Sequence, residues 1–196
     1  MTRESTDKRQ EQIKKAVLKI ITKEGLHNLS IRNLAKKVGI TEGAIFRHFE
    51  SKRAIIISIL DDVKKDLMSE LRSITQSTYS TEDRLYMFLM CHTKYLVKNK
   101  GVSILLFSEA AHLNYREVRK RFHSIISEQE MLISTIIKDG IKEGKWDRKA
   151  DIEDIAILYR SIPISLNVEI VINEHDIAVK NFCKRMNNLF LKILRK

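Results

Sequence analysis

The chain has 196 residues, 43% of them apolar and 31% charged, with a formal net charge of +11. This length suits one large domain or two small ones with a sizeable core, while one proline and six glycines argue against a sheet with many turns. No run approaches the ~18 uninterrupted apolar residues of a membrane span, and Cys91 and Cys183 lie too far apart for a zinc or redox motif.

In chain order, residues 1–7 read as a loose polar arm without the apolar core of a secretory signal, so residence in the cytoplasm is expected. A first helix is predicted from Lys8 to Glu24, with Ile13, Ala16, Val17, Ile20 and Ile21 as its apolar stripe. Ser30 is a good N-cap for a short helix whose inner face is Ile31, Leu34, Ala35 and Val38. Gly39 supplies a left-handed stop, and Thr41 caps a further short helix with Ile45 and Phe49 turned inward. The connection Val38-Gly39-Ile40-Thr41 is the tight glycine-containing turn of a helix-turn-helix unit. Residues 1–53 hold 13 Lys or Arg against 6 Asp or Glu, a net +7, whereas the other 143 residues hold only +4. A basic excess on the segment that carries a helix-turn-helix points to DNA.

The run Leu34-Ala35-x-x-Val38-Gly39-Ile40-Thr41-x-Gly43-Ala44-Ile45-Phe46-x-His48-Phe49-x-Ser51-Lys52 resembles the DNA-binding signature of the TetR family (tetracycline-repressor-like regulators). The likeness covers about a quarter of the chain. One position departs from it: the family usually has tyrosine where this chain has Phe46, and phenylalanine cannot donate to a phosphate.

Beyond the motif, Ser51 caps a long helix from Lys52 to Ile74, followed by a break at Gln76–Thr81. A helix over 82–98 is apolar all round from Leu85 to Cys91, as a helix buried on every side would be. Gly101 is expected to end it, ahead of a short apolar helix from Val102 to Ala111. One amphipathic helix then covers 115–143 and closes at Gly144-Lys145-Trp146-Asp147. Two last helices, Ile152–Asn173 and Asp176–Arg195, complete the chain, with a kink expected at Pro163. The expected fold is therefore all-α with about nine helices: a three-helix DNA-binding head over residues 1–50 and a helical bundle for ligand binding and dimerisation over 51–196.

The last two helices carry more apolar surface than a lone pair can hide. Ile155, Leu166 and Ile170 on the first, with Phe182, Met186, Leu189 and Ile193 on the second, predict a twofold four-helix interface between two copies. A homodimer places two heads on major-groove faces about one helical turn apart, so the expected partner is an inverted repeat in duplex DNA.

In the head, Thr41, Gly43 and Ala44 are candidates for close approach to bases. Glu42 is a candidate to accept from a cytosine amine, Arg47 and His48 to contact phosphate or base, Phe46 to stack on sugar, and Arg32 and Lys52 to anchor phosphates. The resemblance further implies a small, mostly apolar effector held in the bundle and release from DNA on binding it, which is the habit of a repressor. Met87, Cys91, Phe107, His112, Phe122, Tyr159 and Ile162 are the candidate lining. No nucleophile beside a base, glycine-rich phosphate loop or metal-spaced histidine pair stands in the sequence, so neither an enzyme nor a metal or cofactor site is expected. The alternative reading is a helical small-molecule or protein-docking module that no longer reads DNA.

Overall fold

The computed structural model describes residues 5–111, 116–147, 149, 151–173 and 178–195. Among them the chain forms nine α-helices and no strand, the all-helical class that the sequence predicts. They are α1 (Thr6–Glu24), α2 (Ile31–Val38), α3 (Glu42–Phe46), α4 (Lys52–Thr75), α5 (Thr81–Lys98), α6 (Lys100–Ala111), α7 (Arg116–Lys142), α8 (Ile152–Asn173) and α9 (Val179–Leu194). One unexpected 3-10 turn, Leu26–Asn28, follows α1. α1 begins earlier than expected, with Thr6 and Asp7 already in it, and residues 1–4 of the expected arm lie outside the described residues.

The helices group into two compact units. The first comprises residues up to Val63 together with Asn99–His123, and the second Lys64–Lys98 with Ser124–Lys196. α4 and α7 each run without interruption from one unit into the other.

In the first unit the stripe of α1 (Ile13, Ala16, Val17, Ile20, Ile21) is buried with Leu34 and Ala35 of α2, Ile45 of α3, and Phe49. Each fully buried aliphatic side chain of this kind contributes roughly 1.5–3 kcal/mol. α6 packs across α1 at Gly101. Gly101 does not end α5, as the sequence suggested; it lies inside α6, and α5 stops just before Asn99. A Cβ at Gly101 would sit 2.6 Å from the Leu18 carbonyl oxygen, so this glycine serves a close approach of two helices rather than a turn.

In the second unit α5 packs against α8 and α9. The Tyr159 hydroxyl donates to the Leu85 carbonyl at 2.6 Å and lies 3.1 Å from the Asn187 side-chain oxygen. Its ring meets Phe190 at a centroid distance of 4.5 Å and a tilt of 56°. The stretch from Leu85 to Cys91 is less enclosed than its composition suggested: Leu85, Phe88 and Leu89 are buried, but Tyr86, Met87, Met90 and Cys91 are half-buried. Trp146 lies over Gly140, where a Cβ would stand 2.1 Å from the indole ring, and Gly144 turns the chain back with φ +75°. α8 continues through Pro163, which is buried. No helix among the described residues is long and apolar enough to cross a membrane.

Candidate nucleic-acid interface

The head is assembled by short-range hydrogen bonds that its sequence dictates. Ser30 Oγ accepts from the Asn33 amide at 3.1 Å and opens α2. Gly39 closes it in the left-handed region at φ 76°, ψ 36°, where a residue with a Cβ is strained. Thr41 Oγ1 accepts from the Ala44 amide at 3.2 Å and opens α3. Ser51 Oγ accepts from the Ala54 amide at 3.1 Å and opens α4. Such caps contribute about 1 kcal/mol each and fix where α2, α3 and α4 begin.

Outside this frame a second set of contacts ties α1 to α2, to α4 and to the turn that follows α3. Glu24 accepts from Asn33 Nδ2 at 2.9 Å and pairs with Lys37. The hydrogen bond from Lys37, then that from Asn33, holds the Glu24 carboxyl below its usual range. Lys14 pairs with Asp62 of α4, and Gln10 donates to the His48 carbonyl at 3.0 Å.

What remains is a tip. Ile45 and Phe49 face inward, leaving Thr41, Glu42, Gly43, Phe46 and Arg47 exposed, with Ala44 half-buried between them. Phe46 is 50% exposed, and a Cβ added at Gly43 would meet nothing within 4 Å. Arg32 is exposed on α2, and Lys52, half-buried, is the first residue of α4. His48 differs from the others. It is half-buried, and its Nδ1 is fully covered without a hydrogen-bond partner, so part of its ring belongs to the packing of the head.

The candidate effector residues are not gathered in the same way. Tyr159 is wholly buried with its hydroxyl partnered, and burial pushes its phenol well above the usual range. It is a core tie between α5, α8 and α9. Met87, Cys91 and Ile162 are half-buried in the second unit, and Phe122, also half-buried, falls in the first. Burial first, then Glu70, pushes the Cys91 thiol to about 12, so it stays protonated. The Phe107 side chain and His112 lie outside the described residues. The sequence did not single out His92, which is wholly buried with Nδ1 unpartnered. Burial, then the positive charge of Arg160, lowers it to about 4 and keeps it neutral.

The candidate dimer residues divide. Ile155, Leu166 and Ile170 are buried within the chain itself, which corrects the expectation that they face a second copy. Leu189 and Ile193 are each 55% exposed, with Phe182 and Met186 half-buried on the same face of α9. On α8 the exposed apolar residues among those described are instead Ile157, Leu158 and Val168. Among the described residues no group of three or more His, Cys, Asp or Glu could hold a metal ion.

A short capped helix presenting small side chains between cations, on an all-helical scaffold, defines a helix-turn-helix protein. Residues 13–59 match the family of bacterial regulatory proteins known as the tetR family. Nucleoid occlusion factors SlmA are similar along more of the chain: 25% identity over 139 residues for that of Vibrio cholerae and 27% over 139 for that of Vibrio atlanticus, each covering 70% of this chain and 71% of the relative. Among solved structures, the regulator PfmR of Thermus thermophilus superposes with a TM-score of 0.82 at 19% identity, over 92% of this chain and 97% of that one. FadR of Bacillus subtilis, solved in complex with stearoyl-CoA, superposes with a TM-score of 0.76 at 17% identity, over 92% and 97%. Over residues 13–59 the chain thus carries a tetR-type helix-turn-helix segment, and the fold as a whole is that of these solved structures.

Proposed function

We propose that the protein is a transcriptional repressor that binds an inverted-repeat operator as a homodimer and leaves it when a small, mostly apolar effector enters the second unit. The observation that carries DNA reading is Gly43. Nothing inside the chain requires glycine there, since a Cβ would meet open space, and glycine costs a helix about 1 kcal/mol relative to alanine. The missing side chain is explained by something outside that comes close. A base edge in a major groove fits, with Thr41 and Ala44 beside it.

The cations flank this tip. Lys52 and Arg32 contact phosphates, and Arg47 contacts phosphate or guanine. Glu42 accepts from a cytosine amine, and the Phe46 ring lies against sugar. Two copies joined through Leu158, Phe182, Met186, Leu189 and Ile193 present two such tips. α4 begins at Lys52 and ends among buried residues of the second unit, so a shift in that unit's packing is carried to the phosphate anchor. Effector and DNA then weaken each other by the same factor. FadR of Bacillus subtilis, whose structure contains stearoyl-CoA, supports an apolar effector of this kind.

Selection of duplexes from a random pool tests this reading. It should enrich an inverted repeat with half-sites centred roughly 10–10.5 base pairs, or a multiple, apart. A pool that shows no enrichment overturns it. The likeness to nucleoid occlusion factors favours a second reading, a DNA-bound factor acting at many chromosomal sites. Mapping bound sites in cells separates the two: a few promoters support repression, and sites dispersed along the chromosome support the other.

A further inference from the structure

α7 opens with the run Arg116-Glu117-Val118-Arg119-Lys120-Arg121-Phe122-His123. Arg116, Arg119, Lys120 and His123 fall at i, i+3, i+4 and i+7, which places them on one helical face, and all four are exposed. Val118 is buried on the opposite side. This stretch belongs to the first unit, the one that holds the head.

Its neighbours place it near the anchor of the head. Arg121 Nη1 stands 3.3 Å from Asp61 Oδ1 of α4. One turn earlier, Glu117 lines an open cleft with Glu50, Ser51, Arg53 and Ala54, at the start of α4. The two helices therefore run side by side in one direction, and the first turn of α7 lies toward the end of α4 that begins with Lys52. Nearby acidic groups are largely matched: Asp61 by Arg121, and Asp62 by Lys14. Glu117 and Glu50 share the cleft with Arg53. Arg116, Arg119 and Lys120 make no hydrogen bond or ion pair among the described residues. Three exposed cations on one face, without a partner among the described residues, are open to a polyanion, which releases counterions when it meets them.

We propose that the basic face of α7 is a second phosphate-contacting surface, which holds the DNA backbone flanking the half-site that α3 reads. It rests on the DNA reading given above. The contact adds affinity to any sequence and lengthens the footprint of each head, and sequence choice stays with α3.

The test uses the full chain and a fluorescein-labelled, mixed-sequence duplex of about three helical turns. Binding is followed by anisotropy from about 50 to 200 mM salt. Three proteins are set beside the parent: Arg116→Ala/Arg119→Ala/Lys120→Ala, Lys52→Ala, and Lys138→Ala/Lys142→Ala/Lys184→Ala, whose lysines are exposed in the second unit. Each phosphate contact contributes about 0.9 to the slope of log affinity against log salt. The α7 variant should therefore flatten the slope by about 2 to 3 per bound head, and Lys52→Ala by about 1, while the second-unit variant leaves it in place. If Lys52→Ala flattens the slope and the α7 variant does not, the α7 surface is refuted and the head reading stands. Equal flattening by the second-unit variant also refutes it, since overall charge would then be the cause. A duplex not bound by the parent at any of these salt levels overturns the head reading itself.

Discussion

The two units spend their polar and apolar groups in opposite ways. The first, 88 residues long, holds 18 Lys or Arg against 10 Asp or Glu, a net +8; the second, with 108 residues, has a net +3. In the first unit, the large apolar residue left exposed among those described is Phe46. In the second unit Met131, Ile157, Leu158, Val168, Leu189 and Ile193 are exposed, while His92 and Arg84 are buried, each with a nitrogen lacking a partner. Polar surface with one ring at its tip suits a polyanion. Apolar surface left uncovered suits a second copy, because water is a poor neighbour for it.

The most disruptive way to break this contrast is to charge the apolar face of α9. Leu189→Glu/Ile193→Glu puts two carboxylates per protomer into the proposed interface, where burial without partners costs several kcal/mol. We expect the dimer to weaken at least a thousandfold, or about 4 kcal/mol, and to sediment as a monomer at micromolar concentration. Thermal unfolding of each protomer should hardly change, because both side chains are more than half exposed in the single chain. A variant that still sediments as a dimer assigns dimerisation to another face.

A smaller effect separates the buried polar groups of the second unit from the exposed ones of the first. His92 titrates near 4 when folded, against 6.5 when free, because it is buried and faces Arg160, which itself pairs with Glu130 at 3.1 Å. Between those two values the unfolded chain binds a proton that the folded chain refuses, so stability falls as the pH drops through that window. At pH 5 the deficit is about 2 kcal/mol relative to neutral pH. Urea unfolding of the parent and of His92→Leu should show it as the part of the pH dependence that the variant lacks. Equal losses in both proteins would mean that His92 takes up its proton without unfolding.

The same contrast explains what was legible in the sequence. Ser30, Thr41 and Ser51 cap helices through contacts three residues away, and Gly39 acts through its own backbone, so a local reading suffices. Helical spacing showed that α8 and α9 have apolar stripes, but spacing cannot say who covers a stripe. Ile155, Leu166 and Ile170 turned out to be covered by the chain's own helices and Leu158 not. Gly101 looked like a punctuation mark, yet its role is a tertiary approach to Leu18, invisible to any window around it. Tyr159 is one of the candidate lining residues of the sequence, and the partners that satisfy its hydroxyl, 74 and 28 residues away, are beyond any local reading. The basic face of α7 was open to view at i, i+3, i+4 and i+7. The apolar period that marks this segment as a helix lies on its other side.

The smallest expected effect sharpens the contrast at its one exception. Phe46 is half exposed on a surface otherwise made of small or polar groups, and the resembled family usually carries tyrosine there. Phe46→Tyr adds a hydroxyl to a ring that is half exposed. A phenol that reaches a phosphate oxygen gains about 1.5 kcal/mol, the low end for a hydrogen bond to a charged group, or roughly a tenfold gain in affinity for duplex DNA. The hydrogen bond is from a neutral donor and displaces no counterion, so the salt slope should stay where it is while the whole line moves up. Anisotropy titrations of both proteins at several salt levels check this. Tighter binding with an unchanged slope places the ring against the backbone. Unchanged affinity places it away from phosphate, against sugar or base, where a hydroxyl finds nothing to meet.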